Sequence, residues 1–180
     1  VSPLNPQLTR KVFAVGHSTM PSERFIDILA AHGVTLLVDV RTIPKSRHNP
    51  QFSQDKLQAS LLKAGIQYVH CKELGGLRRP LKDSKNTAWR NASFRGYADY
   101  MQTPEFASYL ERLIALCEEH TVAIMCAEGN PFRCHRSLIA DALTVRRFSV
   151  VHISSKKPGR KHVLTPFAKL QGDLIVYPSV

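Results

Sequence analysis

The chain has 180 residues, 43% hydrophobic and 22% charged, which is enough for one compact domain and cramped for two. That composition excludes disordered and collagen-like chains, and no apolar run approaches the roughly 20 residues of a membrane helix. Lys and Arg number 25 against 14 Asp and Glu, a formal charge of +11, which favours anionic partners such as nucleic acid, nucleotides or small anions.

Residues 1–10 read as a loose, polar lead-in without a signal peptide, and residues 11–180 as a single domain. Lys11 to Val15 is a short apolar run closed by Gly16, a first strand. Ser22 is placed to cap a helix with Phe25, Ile28 and Leu29 on its inner face, ending at Gly33. Val34 to Val40 is apolar until Asp39, as in a strand covered on both faces. Ser53 is placed to cap a second helix carrying Leu57, Leu61 and Leu62, with Gly65 after it; Ile66 to His70 is a third strand. Cys71 to Arg95 loses periodicity and is rich in Lys and Arg, a long excursion.

Thr103-Pro104-Glu105 is a strong helix start, followed by Phe106, Tyr109, Leu110, Leu113, Leu116 and Cys117 at helical spacing. Thr121 to Cys126 is a fourth strand. A loop and a helix with Leu138, Ile139, Ala142 and Leu143 lead to a fifth, Ser149 to Ile153. Residues 156–161 form a basic turn, and the tail, 162–180, adds a strand near Leu174 to Tyr177. This alternation predicts an α/β fold: a three-layer domain whose mostly parallel sheet of about five strands has helices on both faces.

Ligands of such sheets bind beyond the carboxyl ends of the strands. Those ends carry His17 and Ser18, Asp39 and Arg41, then Ser46 and Arg47, Gly75 and Gly76, and the run Cys126 to Ser137. These polar tips are expected to converge in one cleft. The run from Met125 to Leu143 is the sharpest feature: a strand delivers Cys126, and a helix starts near Cys134-His135. A helix N-terminus binds anions and lowers a thiol's pKa. Arg41, Arg47, Arg133 and Arg136 are candidate anion ligands. Cys126 and Cys134 are candidate nucleophiles, with His17, His135 and Glu128 as acid/base partners.

Each has a plainer reading. Cys126 is equally read as a buried strand-end thiol, His17 as a histidine bonded to backbone, Glu128 as the partner of a nearby Arg, and Asp39 with Arg41 as a scaffold pair. Cys117, on an apolar helix face, reads as core. His17, Cys126, Glu128, Cys134 and His135 are also metal-capable, although C-x7-C-H is not a zinc signature. The four cysteines, at 71, 117, 126 and 134, form no CxxC pair, so a reduced, cytoplasmic protein is expected.

The cysteine segment resembles the cysteine loop of rhodaneses and cysteine phosphatases, and LLVDVR resembles a rhodanese strand end. The spacing departs from both, since the phosphatase pattern has an Arg six residues after the Cys, where this chain has Phe132. A wider likeness runs through VGHST, LLVDVRTIPKSR, NPQF, YVHCKELGG, FRGYADYM, MCAEGNPFRCHRSLIADAL and VVHI. Together these resemble the domain of unknown function 488 family over about residues 11–153, and His162-Val163-Leu164-Thr165 fits its longer members. The resemblance implies a single α/β domain. It also implies recurrent polar motifs at Gly16-His17-Ser18, Asp39-Val40-Arg41, Pro44 with Ser46-Arg47, Leu74-Gly75-Gly76, Cys126-Ala127-Glu128 and Cys134-His135-Arg136.

The first functional expectation is therefore a cysteine-containing enzyme, a hydrolase or transferase. Its anion pocket would take a nucleotide, nucleic acid or small phosphorylated molecule. A second is a nucleic-acid-binding module, in which basic residues between Lys72 and Arg95 alternate with Leu77, Trp89 and Phe94. A third is a metal site on the five metal-capable residues. No cofactor is required by the sequence, and no membrane contact is expected.

Overall fold

A computed structural model of the protein describes residues 10–179; nearly all of the expected lead-in lies outside the described residues. Five strands run parallel: β1 (Lys11–Gly16), β2 (Leu36–Asp39), β3 (Gln67–His70), β4 (Val122–Cys126) and β5 (Ser149–Ile153). A sixth, β6 (Arg160–Lys161), adds antiparallel to β5 and completes the order β3-β2-β4-β1-β5-β6. The expected basic turn thus ends in an edge strand. Its Gly159 passes so close to the His152 carbonyl and the Val151 side chain that a Cβ would collide with them.

Helices α1 (Ser22–Ala31) and α2 (Gln54–Lys63) cover one face, where Phe25, Ile28, Leu29, Leu57 and Leu61 pack against Phe13, Val15 and Leu37. Helices α3 (Ala92–Tyr100), α4 (Pro104–Glu119) and α5 (Arg136–Val145) cover the other, with Tyr97, Leu110, Leu113, Leu138 and Ile139 against Val12, Val38 and Ile124. The α/β fold with helices on both faces is as expected, with six strands in place of five. A short hairpin, β7 (Lys169–Gln171) and β8 (Leu174–Val176), supplies the expected tail strand.

Four local expectations need correcting. Helix α1 begins at Ser22 itself, with Pro21 in the cap position and no side-chain cap. Ser53 occupies the cap position of α2 without donating or accepting there. Leu62 is 75% exposed, because only Leu57 and Leu61 share the stripe facing the sheet. The excursion from 71 to 95 ends inside α3, whose first amides, at Ser93 and Phe94, are capped by the Asn91 side chain. Thr103 does cap α4, accepting from the Phe106 amide.

One feature of the topology positions the site. The chain leaves β1 through α1 on one face and leaves the adjacent β4 through α5 on the other. Connections that diverge from neighbouring strands open a crevice at their carboxyl ends. Gly16 is the closing residue of β1, paired with Cys126, and a Cβ there would overlap the Glu128 carbonyl oxygen. Only glycine lets the loop after β4 cross so close to β1.

Candidate active site

Cys126 ends β4 on the α3–α5 side of the sheet, at the wall of a cavity of about 450 Å³. The cavity is also lined by Lys45, Phe94, Glu128, Arg133, Cys134 and His135. After β4 the chain makes a short 3-10 turn over Pro131–Arg133, then enters α5 with His135 in the cap position. This brings Cys134, His135 and Arg136 back over the strand end.

Arg136 is 1% exposed. Its Nη1 donates to the Cys126 sulfur at 2.8 Å and to the Glu128 carbonyl at 3.0 Å, while Nη2 donates to the Gly129 carbonyl at 3.3 Å. Its Nε is buried without a partner. The guanidinium therefore faces inward, onto a sulfur and two carbonyls. Arg136, expected to hold a substrate anion, has its hydrogen bonds on Cys126 and the loop carbonyls and is not among the residues lining the cavity.

Cys134 lines the same cavity as Cys126. Its hydrogen bond lowers the Cys126 pKa; burial opposes this, and the Arg136 charge reinforces it. The same contact, together with burial, drives the Cys134 thiol far above the ordinary thiol range. The two thiols are thus pushed in opposite directions, Cys126 down and Cys134 up. The amide of Arg136, in the first turn of α5, points to the Cys134 sulfur at 3.4 Å and not to Cys126. The first-turn amide of α5 is thus spent on Cys134, and the contact to the Cys126 sulfur comes from the Arg136 side chain.

His135 donates from Nε2 to the Val40 carbonyl at 3.0 Å, which leaves Nδ1 as an acceptor 3.7 Å from the Cys134 sulfur. Burial lowers its pKa to about 4, so the ring is neutral near pH 7. Gly76 lies against this ring, where a Cβ would come within 3.0 Å of Nδ1, and Gly75 lies against Thr42. Both glycines are required by close packing, and Gly76 also lines the cavity.

His17 does not join this group. Strand parity explains why: Gly16 pairs with Cys126 and shares its face, so the next residue points the other way. His17 stacks on Phe52 at 4.2 Å, donates from Nδ1 to the Ser18 carbonyl at 2.8 Å, and receives Arg41 Nη1 on Nε2 at 3.4 Å. Burial lowers its pKa. The plainer reading of His17, bonded to backbone, is the one observed. Ser18 holds a left-handed φ of 49° in this turn.

Asp39 and Arg41 form the scaffold pair. Arg41 donates from Nε at 2.9 Å and from Nη2 at 2.6 Å to the Asp39 carboxylate, and Nη2 also reaches the Phe52 carbonyl at 2.9 Å. Tyr68 adds its hydroxyl to Asp39 at 2.7 Å. With its fork occupied, Arg41 lines the cavity but is not free for bidentate anion binding. Ser46 accepts from the Asn49 amide and shapes a turn; Arg47 is exposed and outside the cavity. Its place is taken by Lys45. Lys45 and Arg133 are the exposed cations at the cavity, beside the paired Arg41. Glu128 is exposed, and its carboxylate accepts from the Asn130 amide at 3.4 Å.

Among the described residues no group of three or more His, Cys, Asp or Glu side chains is arranged to hold a metal ion. Trp89 of the excursion packs against Phe94, Phe167 and Tyr177, while Phe94 also lines the cavity. Cys117 donates to the Leu113 carbonyl and packs with the core, as its plainer reading has it. Among the described residues no helix is long and apolar enough to cross a membrane.

Sequence reasoning missed Lys45, Asn91 and Phe94 as cavity-lining residues. Phe94 carried a usable signal: Phe94, Tyr97, Ala98 and Met101 recur at helical spacing behind the Asn91 cap. Lys45 carried none, because loop direction is not periodic.

No curated protein and no solved structure matches the chain. The sequence model of the family described as Domain of unknown function DUF488 matches residues 21–143. That span holds Asp39, Arg41 and the whole cysteine segment from Cys126 to Arg136, and it leaves Gly16-His17-Ser18 and the tail outside. The match covers about two-thirds of the chain, and the protein belongs to the domain of unknown function 488 family.

Proposed function

We propose that the protein is a cysteine-dependent enzyme in which the Cys126 thiolate attacks a small anionic substrate, of the nucleotide or phosphorylated class, held in the cavity by Lys45 and Arg133. The observation that carries this reading is the 2.8 Å contact between the buried Arg136 guanidinium and the Cys126 sulfur. A buried cation whose partners are only carbonyls and a sulfur is stabilised when that sulfur is ionised. The thiolate opens onto a cavity where Lys45 and Arg133 add exposed cations to the paired Arg41, so an electrophilic centre next to a negative group would be drawn to it. His135, neutral and facing Cys134, orders the pair and does not act on Cys126 directly.

Two alkylating agents of similar size and opposite character test this. Iodoacetate is an anion and iodoacetamide is neutral. Relative to a free thiol reference, Cys126 should favour iodoacetate, and Lys45→Ala with Arg133→Ala should remove the preference. Inorganic phosphate should slow the reaction by competition. Equal relative rates for both agents in the unaltered protein would contradict the anionic cavity.

A second reading, binding to nucleic acid, is favoured by the exposed cations Lys72, Arg79, Lys82, Lys85 and Arg90. With Trp89 packed inward, such binding would rest on phosphate contacts and lack base stacking at that residue.

A further inference from the structure

Beyond nucleophilic attack, the thiols offer a second chemistry. Cys126 and Cys134 are the two free cysteines of the cavity; Cys71 and Cys117 lie elsewhere in the fold. Both sulfurs are held by one residue, Cys126 by the Arg136 guanidinium at 2.8 Å and Cys134 by the Arg136 amide at 3.4 Å. Each lines the same open space, so a small oxidant reaching one also lies beside the other.

We propose that Cys126 and Cys134 form a peroxidatic and resolving pair that reduces a hydroperoxide and closes to a reversible disulfide. This rests on the thiolate reading of Cys126 and adds an oxidant class and a partner thiol. In the first step the Cys126 sulfur attacks the distal oxygen of the hydroperoxide. An S–O bond forms, the O–O bond breaks, and the alkoxide or hydroxide leaves and takes a proton. Cys126 is now a sulfenic acid. In the second step the Cys134 sulfur attacks the Cys126 sulfur; the S–S bond forms and the S–O bond breaks. The Cys134 proton departs with the hydroxyl as water, with His135 Nδ1, 3.7 Å away, as the acceptor that can carry it. The two sulfurs are oxidised together by two electrons, and the peroxide oxygen is reduced. A dithiol reductant returns the pair to its starting state by thiol–disulfide exchange.

Two features make Cys134 suited to resolving. It stays protonated while Cys126 is ionised, so it does not compete for the peroxide. It also lines the same cavity as the sulfur it must attack and shares Arg136 with it as a hydrogen-bond partner. Cys71 and Cys117 serve as internal controls: burial raises both, Cys117 to about 11.

The full chain, reduced and then treated with stoichiometric hydrogen peroxide, is digested without reductant and mapped by mass spectrometry. The expected product is a peptide pair joined through Cys126 and Cys134, lighter by two hydrogens and restored by dithiothreitol, with Cys71 and Cys117 still alkylatable. In Cys134→Ser, a dimedone adduct should accumulate at Cys126, where the unaltered protein gives none. Iodoacetamide labelling at low pH is run alongside. If Cys126 labels as a thiolate yet peroxide yields sulfinic acid or no change, the pair does not resolve and this inference fails alone. If Cys126 does not label at low pH, the thiolate reading fails as well.

Discussion

At the scale of single residues, Arg136 decides the chemistry. A guanidinium that is 1% exposed and pairs with no carboxylate among its hydrogen-bond partners is costly unless something near it carries charge. Replacing Arg136 by Met keeps most of the volume and removes the charge. The pH at which Cys126 becomes reactive should then rise by at least about one unit, as expected when a contacting cation is lost. Thiol alkylation followed across pH measures this. The inward role of Arg136 was hidden in the sequence, because a CHR motif reads equally as a solvent-facing anion ligand. The scaffold reading of Asp39 and Arg41 was legible, because two charged residues separated by one position at a buried strand end have each other as nearest partners. His17 was misjudged for a reason of geometry. Its sequence position says strand end, but only the pairing of Gly16 with Cys126 says which face, and register is a property of two strands.

At the scale of elements, the loop after β4 depends on a glycine in another strand. In Gly16→Ala the added methyl would overlap the Glu128 carbonyl oxygen, the same oxygen that accepts from Arg136. The expected outcome is a displaced loop, a Cys126 pKa nearer the ordinary thiol value, and a stability loss of about 1–3 kcal/mol by urea titration. The C-terminal tail depends on α5 in a similar way. Asp141 is fully buried and accepts from His162 Nε2 at 2.8 Å, the Thr165 amide at 3.0 Å and the Tyr177 hydroxyl at 2.8 Å. Asp141→Ala leaves three donors without this partner, two of them on the buried His162 and Tyr177, and should destabilise the fold by about 3–5 kcal/mol. Urea unfolding gives the size, and faster tryptic cleavage after Lys161 locates it. The helices and strands themselves were largely legible, since Phe25, Ile28 and Leu29, or Leu110 and Leu113, can face a sheet only from a helix. Helix α3 was hidden by Gly96, a poor helix former. It is placed there because the backbone of Arg78 and Arg79 passes where a Cβ would lie.

At the scale of the whole molecule, charge and buried histidines set the response to salt and pH. The formal charge of +11 predicts that any binding to single-stranded polynucleotide weakens steeply between low and moderate salt; binding that is insensitive to salt would remove the nucleic-acid reading. His135 and His152 are both lowered to about 4 by burial, and His17 is lowered too. Between the unfolded value near 6.5 and about 4, the unfolded chain binds more protons than the folded one at these sites. Stability should therefore be full above pH 6.5 and fall as pH drops from there toward 4, read as a falling Tm. A Tm that holds constant or rises on acidification over that window would contradict the burial of these rings in the neutral form.

In the proposed chemistry a buried arginine keeps one cysteine ionised at neutral pH and below. The rate of iodoacetamide labelling at Cys126, followed by peptide mass spectrometry across pH, tests it most directly. The expected profile stays high well below the ordinary thiol range, near pH 8.5, while Cys71 and Cys117 remain unlabelled, and it moves upward in Arg136→Met. A Cys126 profile that rises only above about pH 8.5, unchanged by Arg136→Met, would show an ordinary buried thiol and remove the proposed chemistry.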